Sequence, residues 1–258
     1  MGVINVTPDS FFDGGAHMQA AAAIEHGRTL VAEGADILDI GGESSRPGAL
    51  SVVIKEELGR ILPVIEALTE VGVPLSVDTA KPEVMRRAVA AGVDMINDIA
   101  AFRAPGALDI MAPTRAALCI MHMQGEPRTM QSNPRYADVV AEVAGFLEGR
   151  ARAAEGLGIS KERIVLDPGF GFGKTLRHNL LLLRNLGSLA DLGWPVLAGL
   201  SRKSMLGQIT GRDVNDRVHG SVAAALLAVV NGARIVRVHD VPATRDALAV
   251  LDALNGCY

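Results

Sequence analysis

Glu33-Gly34-Ala35-Asp36-Ile37-Leu38-Asp39-Ile40-Gly41-Gly42-Glu43-Ser44-Ser45-Arg46 is the stretch that decides the fold. A glycine ends a helical segment, a short strand follows at once, and the strand runs out into small, polar and basic residues. Ala91-Gly92-Val93-Asp94 repeats the same junction ahead of Ile96-Asn97-Asp98. Further apolar strands end in Ile4-Asn5, Val77-Asp78-Thr79, Met121-His122, Leu166-Asp167-Pro168, Leu200-Ser201-Arg202-Lys203 and Val236-Arg237-Val238-His239-Asp240. A charge at a buried strand end is costly unless something there needs it. A series of such ends pointing one way describes one shared pocket, and so an enzyme.

The pattern predicts strands at 2–6, 37–40, 74–77, 95–97, 117–121, 164–166, 196–198 and 235–238, read as continuous apolar runs covered on both faces. Helical stripes lie between them: Ile54, Leu58, Ile61, Ile65 and Leu68 form one, and Val139, Val143, Phe146 and Leu147 another. Eight strand–helix pairs in this length match a (β/α)8 TIM barrel, whose active site sits at the C-terminal strand ends. A doubly wound open sheet is the runner-up, because alternation alone does not separate the two. With no linker or composition shift, residues 1–258 read as a single domain.

A net charge of -4, with scattered basic residues and few aromatics, speaks against nucleic-acid binding. Cys119 and Cys257 lie far apart and form no disulfide or zinc pattern, which fits a reducing, cytoplasmic setting. The start carries no signal peptide, and the longest apolar run, 222–230, is too short to span a bilayer. Met1 stands almost on the first strand, which leaves room for a short missing leader.

The loop Asn5-Val6-Thr7-Pro8-Asp9-Ser10-Phe11-Phe12-Asp13-Gly14-Gly15 is long for a strand-to-helix link and reads as a mobile lid. Arg46 in the second loop suits an anion. Asp78 and Asp167 could each cap a helix, but with Asn97 they can read a flat heterocycle rich in N–H donors. Asp167-Pro168-Gly169-Phe170-Gly171-Phe172-Gly173-Lys174-Thr175 fails the Walker A spacing, so its glycines read as a close backbone approach to a ligand, with Phe172 packing on it. Ser201-Arg202-Lys203-Ser204 leads into a helix and favours an anion, with Arg202 itself taken as a solvated basic turn. Arg237 and His239 alternate, so both face one way and suit a phosphate. His122 either lines the site or simply packs.

Taken together, these motifs resemble the dihydropteroate synthase family, over nearly the whole chain. The most specific pieces are Asn5-Val6-Thr7-Pro8-Asp9-Ser10-Phe11, Gly41-Gly42-Glu43-Ser44-Ser45-Arg46-Pro47-Gly48, the Asp167–Lys174 motif and Ser201-Arg202-Lys203-Ser204. The resemblance implies joining 4-aminobenzoate to a dihydropterin methyl diphosphate, giving 7,8-dihydropteroate and diphosphate with Mg2+ assisting. It implies a pterin pocket of Asp78, Asn97, Asp167 and Lys203. Asn5 would serve the magnesium and diphosphate, and Arg237 and His239 the anion clamp. Ser45, Arg46 and Pro47 belong to the second mobile loop, and Phe172, Lys203 and Ser204 to the 4-aminobenzoate side. Asp78, Lys203, Asp13 and Arg46 are the implied catalytic group. A homodimer through late helices, and sulfonamide binding, are implied as well. The alternatives are a pterin-dependent methyltransferase of the same fold and a pterin-binding barrel without catalysis.

Overall fold

The computed structural model describes residues 1–6, 16–45 and 48–256. Eight strands run in chain order: β1 (Gly2–Asn5), β2 (Leu38–Gly41), β3 (Leu75–Asp78), β4 (Met95–Asp98), β5 (Ala117–Met121), β6 (Ile164–Asp167), β7 (Val196–Ala198) and β8 (Ala233–Val236). Each pairs in parallel with the next. The last returns to the first: the Val3 N–H donates to the Val238 carbonyl at 3.2 Å, and the Val238 N–H donates to the Met1 carbonyl at 2.9 Å. That closure makes the sheet a TIM barrel and excludes the open sheet. Three of the residues expected just past a strand, Asp78, Asp98 and Asp167, are instead its last residue.

The connecting helices are α1 (Ala16–Ala32), α2 (Ile54–Leu68), α3 (Pro82–Ala90), α4 (Ala107–Met111), α5 (Val139–Gly156), α6 (Leu176–Arg184), α7 (Gly187–Ala190), α8 (Ser204–Thr210), α9 (Val218–Val230) and α10 (Val241–Asn255). Their buried stripes meet the outward side chains of the strands. Ile61, Ile65 and Leu68 of α2 and Val143 and Leu147 of α5 join one core with Ile4, Leu38, Ile40, Val77, Ile96, Ile120 and Leu166. Ile54 departs from its predicted stripe: it is the first residue of α2 and stays 42% exposed. Asp138 caps α5 by accepting from the Val140 and Ala141 N–H groups at 2.9 and 3.1 Å. No helix among the described residues is long and apolar enough to cross a membrane.

Inside the ring, Met1, Met95, Cys119, Val165 and Leu197 form a separate apolar plug. Side chains alternate across a strand, so the inward positions one step further along are Asn5, Asp78, Asn97, Asp167 and Arg237. The expected unbroken apolar runs fail at Asp39 and Ser76, both fully buried in mid-strand. Their strands have two unlike faces, one against helices and one toward the barrel interior.

The segment after β6 is pressed onto the segment after β5. Gly169 and Gly173 take left-handed φ of 65° and 62°. A Cβ on Gly169 would stand 1.9 Å from the His122 carbonyl oxygen, and one on Gly173 2.4 Å from that of Gln124. These glycines therefore serve chain-to-chain packing. Gly169→Ala is expected to destabilise the protein by about 3 kcal/mol or more in urea unfolding, because strain and overlap with backbone add.

Candidate active site

Arg237, one residue past β8, organises the mouth of the barrel. Its Nε donates to Asp39 Oδ2 at 2.6 Å, and its Nη2 reaches Asp78 Oδ2 at 3.5 Å. The side chain thus crosses β1 to reach acids on β2 and β3. Asn97 joins from β4, its Nδ2 donating to the same Asp39 oxygen at 3.3 Å. Asp39 Oδ1 and Asn97 Oδ1 are buried and have no hydrogen-bond partner among the described residues. Both lie beneath the mouth, where the Arg237–Asp39–Asn97 contacts form its floor.

The charges of the mouth act on one another. Burial pushes the Asp78 carboxyl up to about 7, against the pull of Arg237 and with the push of Asp39. Burial also raises Asp167, which is opposed by Lys203 and by the Gly169 N–H that it accepts at 2.7 Å. Burial brings Lys203 down to about 8, although Asp167 favours its cation. Burial would lower Arg237, but Asp39 and Asp78 outweigh it and the guanidinium is held charged. Asp39, Asp78, Asp167, Lys203 and Arg237 therefore share one interior.

Lys203 Nζ donates to the Phe170 carbonyl and lies 4.8 Å from the centre of the Phe172 ring. Phe172 in turn packs on Met121, Met123 and Met130, giving the pocket an apolar wall beside its charged one. Lys174 is buried below this turn, with Nζ 2.9 Å from His122 Nδ1. His122 accordingly packs rather than lining the acid cluster, its ring edge-on to Phe146 at 5.0 Å.

The other predicted residues fall into three groups. Asn5 ends β1 in register with Gly41, which itself pairs with Asp78, so its amide stands at the same mouth. His239 keeps to the neighbouring segment: its N–H donates to Ser201 Oγ at 3.2 Å and its Nδ1 is 3.0 Å from the same oxygen. Ser204 is exposed at the start of α8, beside Gln131, Lys174 and Asn179 along a cavity of about 240 Å³, and joins none of the acids. Ser45 precedes the undescribed pair Arg46 and Pro47, and Asp13 also lies outside the described residues.

Arg202 is not a solvated turn. Its guanidinium holds Asp240 at 2.5 and 3.0 Å, which fixes the loop into α8 against the start of α10. Asp98 takes the local role that was also open to Asp78 and Asp167, accepting from the Ala100 and Phe102 N–H groups at 2.7 and 2.6 Å.

Sequence reasoning passes over Asp39, Lys174 and the buried Glu57. Asp39 could have been found, since an acid inside Ile37-Leu38-Asp39-Ile40 interrupts a strand otherwise apolar. Glu57 gives no such signal, because acids are common in a first helical turn. In the structure it accepts from Thr79 Oγ1 at 2.7 Å and Lys81 Nζ at 2.5 Å, and Lys81 also grips Glu43. This network anchors the base of the second loop to α2 and to the residues after β3.

No cluster of three His, Cys, Asp or Glu side chains among the described residues could hold a metal ion. The donor set at the mouth is hard oxygen, with Asn5 as an amide. That fits a cation such as Mg2+, which takes few protein ligands and completes its shell with water and phosphate.

The raised Asp78 carboxyl has a thermodynamic consequence. Its folded pKa of about 7 stands above the unfolded 3.8, so it contributes stability that is whole below 3.8 and is lost as pH rises through about 7. In urea unfolding at about pH 5 and about pH 8, Asp78→Asn is expected to gain stability relative to wild type at the higher pH. An unchanged difference would contradict the raised carboxyl.

The pterin binding enzyme family model matches residues 1–239. A dihydropteroate synthase of Neisseria meningitidis serogroup C is 53% identical over 260 residues, covering 99% of this chain and 92% of the relative. A Xanthomonas albilineans dihydropteroate synthase solved with 4-aminobenzoic acid superposes with a TM-score of 0.95 at 56% identity, over 100% of this chain and 93% of that one. The same organism's enzyme solved in complex with 7,8-dihydropteroate gives 0.89 at 51% identity, with the same coverage. With a closed barrel, an acid-lined mouth and relatives of this kind over its whole length, the chain belongs to the dihydropteroate synthase family of pterin-binding enzymes.

Proposed function

We propose that this chain joins 4-aminobenzoate to a (7,8-dihydropterin-6-yl)methyl diphosphate, releasing 7,8-dihydropteroate and diphosphate. The observation that carries the reading is the convergence on one mouth of three acceptors, the carboxyls of Asp78 and Asp167 and the amide of Asn97, with Lys203 and Arg237 beside them. A pterin ring presents N–H and NH2 donors along one flat edge and would satisfy them. The solved relatives carrying 4-aminobenzoic acid and 7,8-dihydropteroate support the same pair of substrate and product.

In the reaction the aniline nitrogen attacks the pterin methylene, the methylene C–O bond breaks, its electrons leave with diphosphate, and one aniline proton goes to solvent. Positive charge grows on the methylene and negative charge on the departing oxygen. Asp78 and Asp167 favour the first, while Arg237 and His239 favour the second. Arg237 is already engaged through Nε and Nη2, so Nη1 is the edge it can turn to phosphate. The Ser201 hydroxyl, receiving the His239 backbone N–H, can donate to Nδ1 and leave the imidazole proton on Nε2, a donor for the same anion. Asn5 would hold Mg2+, which when bound neutralises charge on the leaving diphosphate. Arg46 and Asp13 would act from the two loops, Ser45 beside Arg46. Phe172 would stack on the 4-aminobenzoate ring, and Ser204 would border it. Methyl transfer to a corrinoid partner leaves Arg237 and His239 without an anion to meet, and no observation favours it.

The same reading takes residues 1–258 as one domain, since Gly2 of β1 bridges in parallel to Val238, two residues past β8, from the far end of the chain. It places the chain in the cytoplasm, where the buried Cys119 thiol stays reduced. It also includes a homodimer. Leu227, Val230, Val250 and Leu254 are between 53% and 72% exposed on α9 and α10, which pack side by side, and a second copy would cover them. Sedimentation is expected to give twice the monomer mass, and Leu227→Glu with Val230→Glu to halve it. A monomeric wild type would remove this part of the reading.

The deciding assay is product formation from the pterin diphosphate, 4-aminobenzoate and Mg2+. Folded protein that makes no dihydropteroate sinks the proposal. In the same series, Arg237→Met should weaken the pterin diphosphate about tenfold or more beyond its effect on the pterin without diphosphate. Equal losses would remove Arg237 from the anion site.

A further inference from the structure

We propose that Lys174 is a positioning residue whose buried ammonium staples the turn after β6 to the segment after β5, and so sets Phe172 and Lys203 for 4-aminobenzoate. This rests on the synthase reading above.

Lys174 is 3% exposed, and no carboxylate lies within ion-pair distance of it among the described residues. Its Nζ is surrounded by acceptors: His122 Nδ1 at 2.9 Å, Gly169 O at 3.0 Å, Phe172 O at 3.1 Å and His122 O at 3.3 Å. Carbonyls only accept, so the amine must donate, and three N–H bonds of an ammonium serve four acceptors with one shared. The imidazole must then offer a lone pair at Nδ1 and carry its proton on Nε2. Burial, with the Lys174 charge added, pushes His122 down to about 3 and keeps it neutral for that role. Burial draws Lys174 itself down to about 7, while the charge of Asp167 favours the cation.

A methionine would fill this space without burying a charge. What a lysine adds is convergence, drawing carbonyls from two separate segments to one point. The turn it grips is the one that Lys203 uses. Phe172 N–H donates to Gly169 O at 3.1 Å, closing the turn. Lys174 holds the carbonyls at its two ends, and Lys203 takes the Phe170 carbonyl between them and sits over the Phe172 ring. Asp78 stands on a strand away from this turn, and Asp167 meets it only by accepting the Gly169 N–H. Loss of the staple should therefore divide the two substrates.

The test is Lys174→Met in the full chain, with steady-state kinetics for both substrates and urea unfolding alongside. The expected result is a KM for 4-aminobenzoate raised about tenfold, with the KM for pterin diphosphate within about twofold. Lys174→Arg, which keeps donors at the position, should recover part of the loss. Unchanged constants, or equal rises in both, overturn the proposal. If the methionine variant does not fold, 15N NMR of His122 in folded wild type decides. A neutral ring protonated on Nε2 down to about pH 5 supports the staple, and protonation on Nδ1 or titration near the ordinary 6.5 overturns it. Wild-type product formation in the same assay tests the synthase reading separately, and the NMR result stands whichever way that falls.

Discussion

The contact between Arg237 and Asp39 is the one on which the rest of the mouth depends. The guanidinium leaves the residue after β8, passes over β1 and binds a fully buried acid on β2, with a weaker hold on Asp78 of β3. It therefore lies across the seam where the ring closes. Neither charge could be buried there alone, since an unpaired one costs about 3–5 kcal/mol. The pairing also orders the other groups. Asn97 donates to the same carboxylate oxygen, so its own acceptor is left for a ligand, and Asp78 is left with a carboxyl that ionises near neutrality.

On the far side of the mouth, position comes from backbone rather than from a charge pair. The turn after β6 lies so close to residues 122–124 that two of its positions have no space for a side chain. That close approach brings the Phe170 carbonyl and the Phe172 ring to Lys203, and it buries Lys174 among carbonyls. The site thus has two halves of different physical character. An acid-and-amide half stands on rigid strands, while a cation-and-aromatic half stands on a turn. In the proposed reaction the first would hold the pterin and the second the incoming amine, and the departing diphosphate would lie where Arg237 connects them.

Much of this was legible in the sequence because its signals are local. Short apolar runs, glycine stops and polar strand ends repeat every few tens of residues, and they establish eight strands, their order and the end of the barrel where chemistry sits. Asp78, Asn97, Asp167, Lys203 and Arg237 were legible for the same reason, as the residues at those ends. Asp39 escapes sequence reasoning because an apolar run reads as uniformly buried, whereas a barrel strand has an inner face that can hold a polar group. Arg202 was misread because its partner Asp240 is 38 residues away, and nothing near Arg202 announces it.

The sequence by itself determined the fold class, the polar rim and the kinship with pterin enzymes, since each rests on residues near one another in the chain. Only the tertiary structure decided which charges neutralise which. Arg237 and Asp39 are 198 positions apart, and Lys174 and His122 are 52 apart. The chain brings such groups together only by closing its first strand on its last, and by laying one loop flat against another. Buried charges choose partners by distance in space, and periodicity along the chain carries no record of that distance.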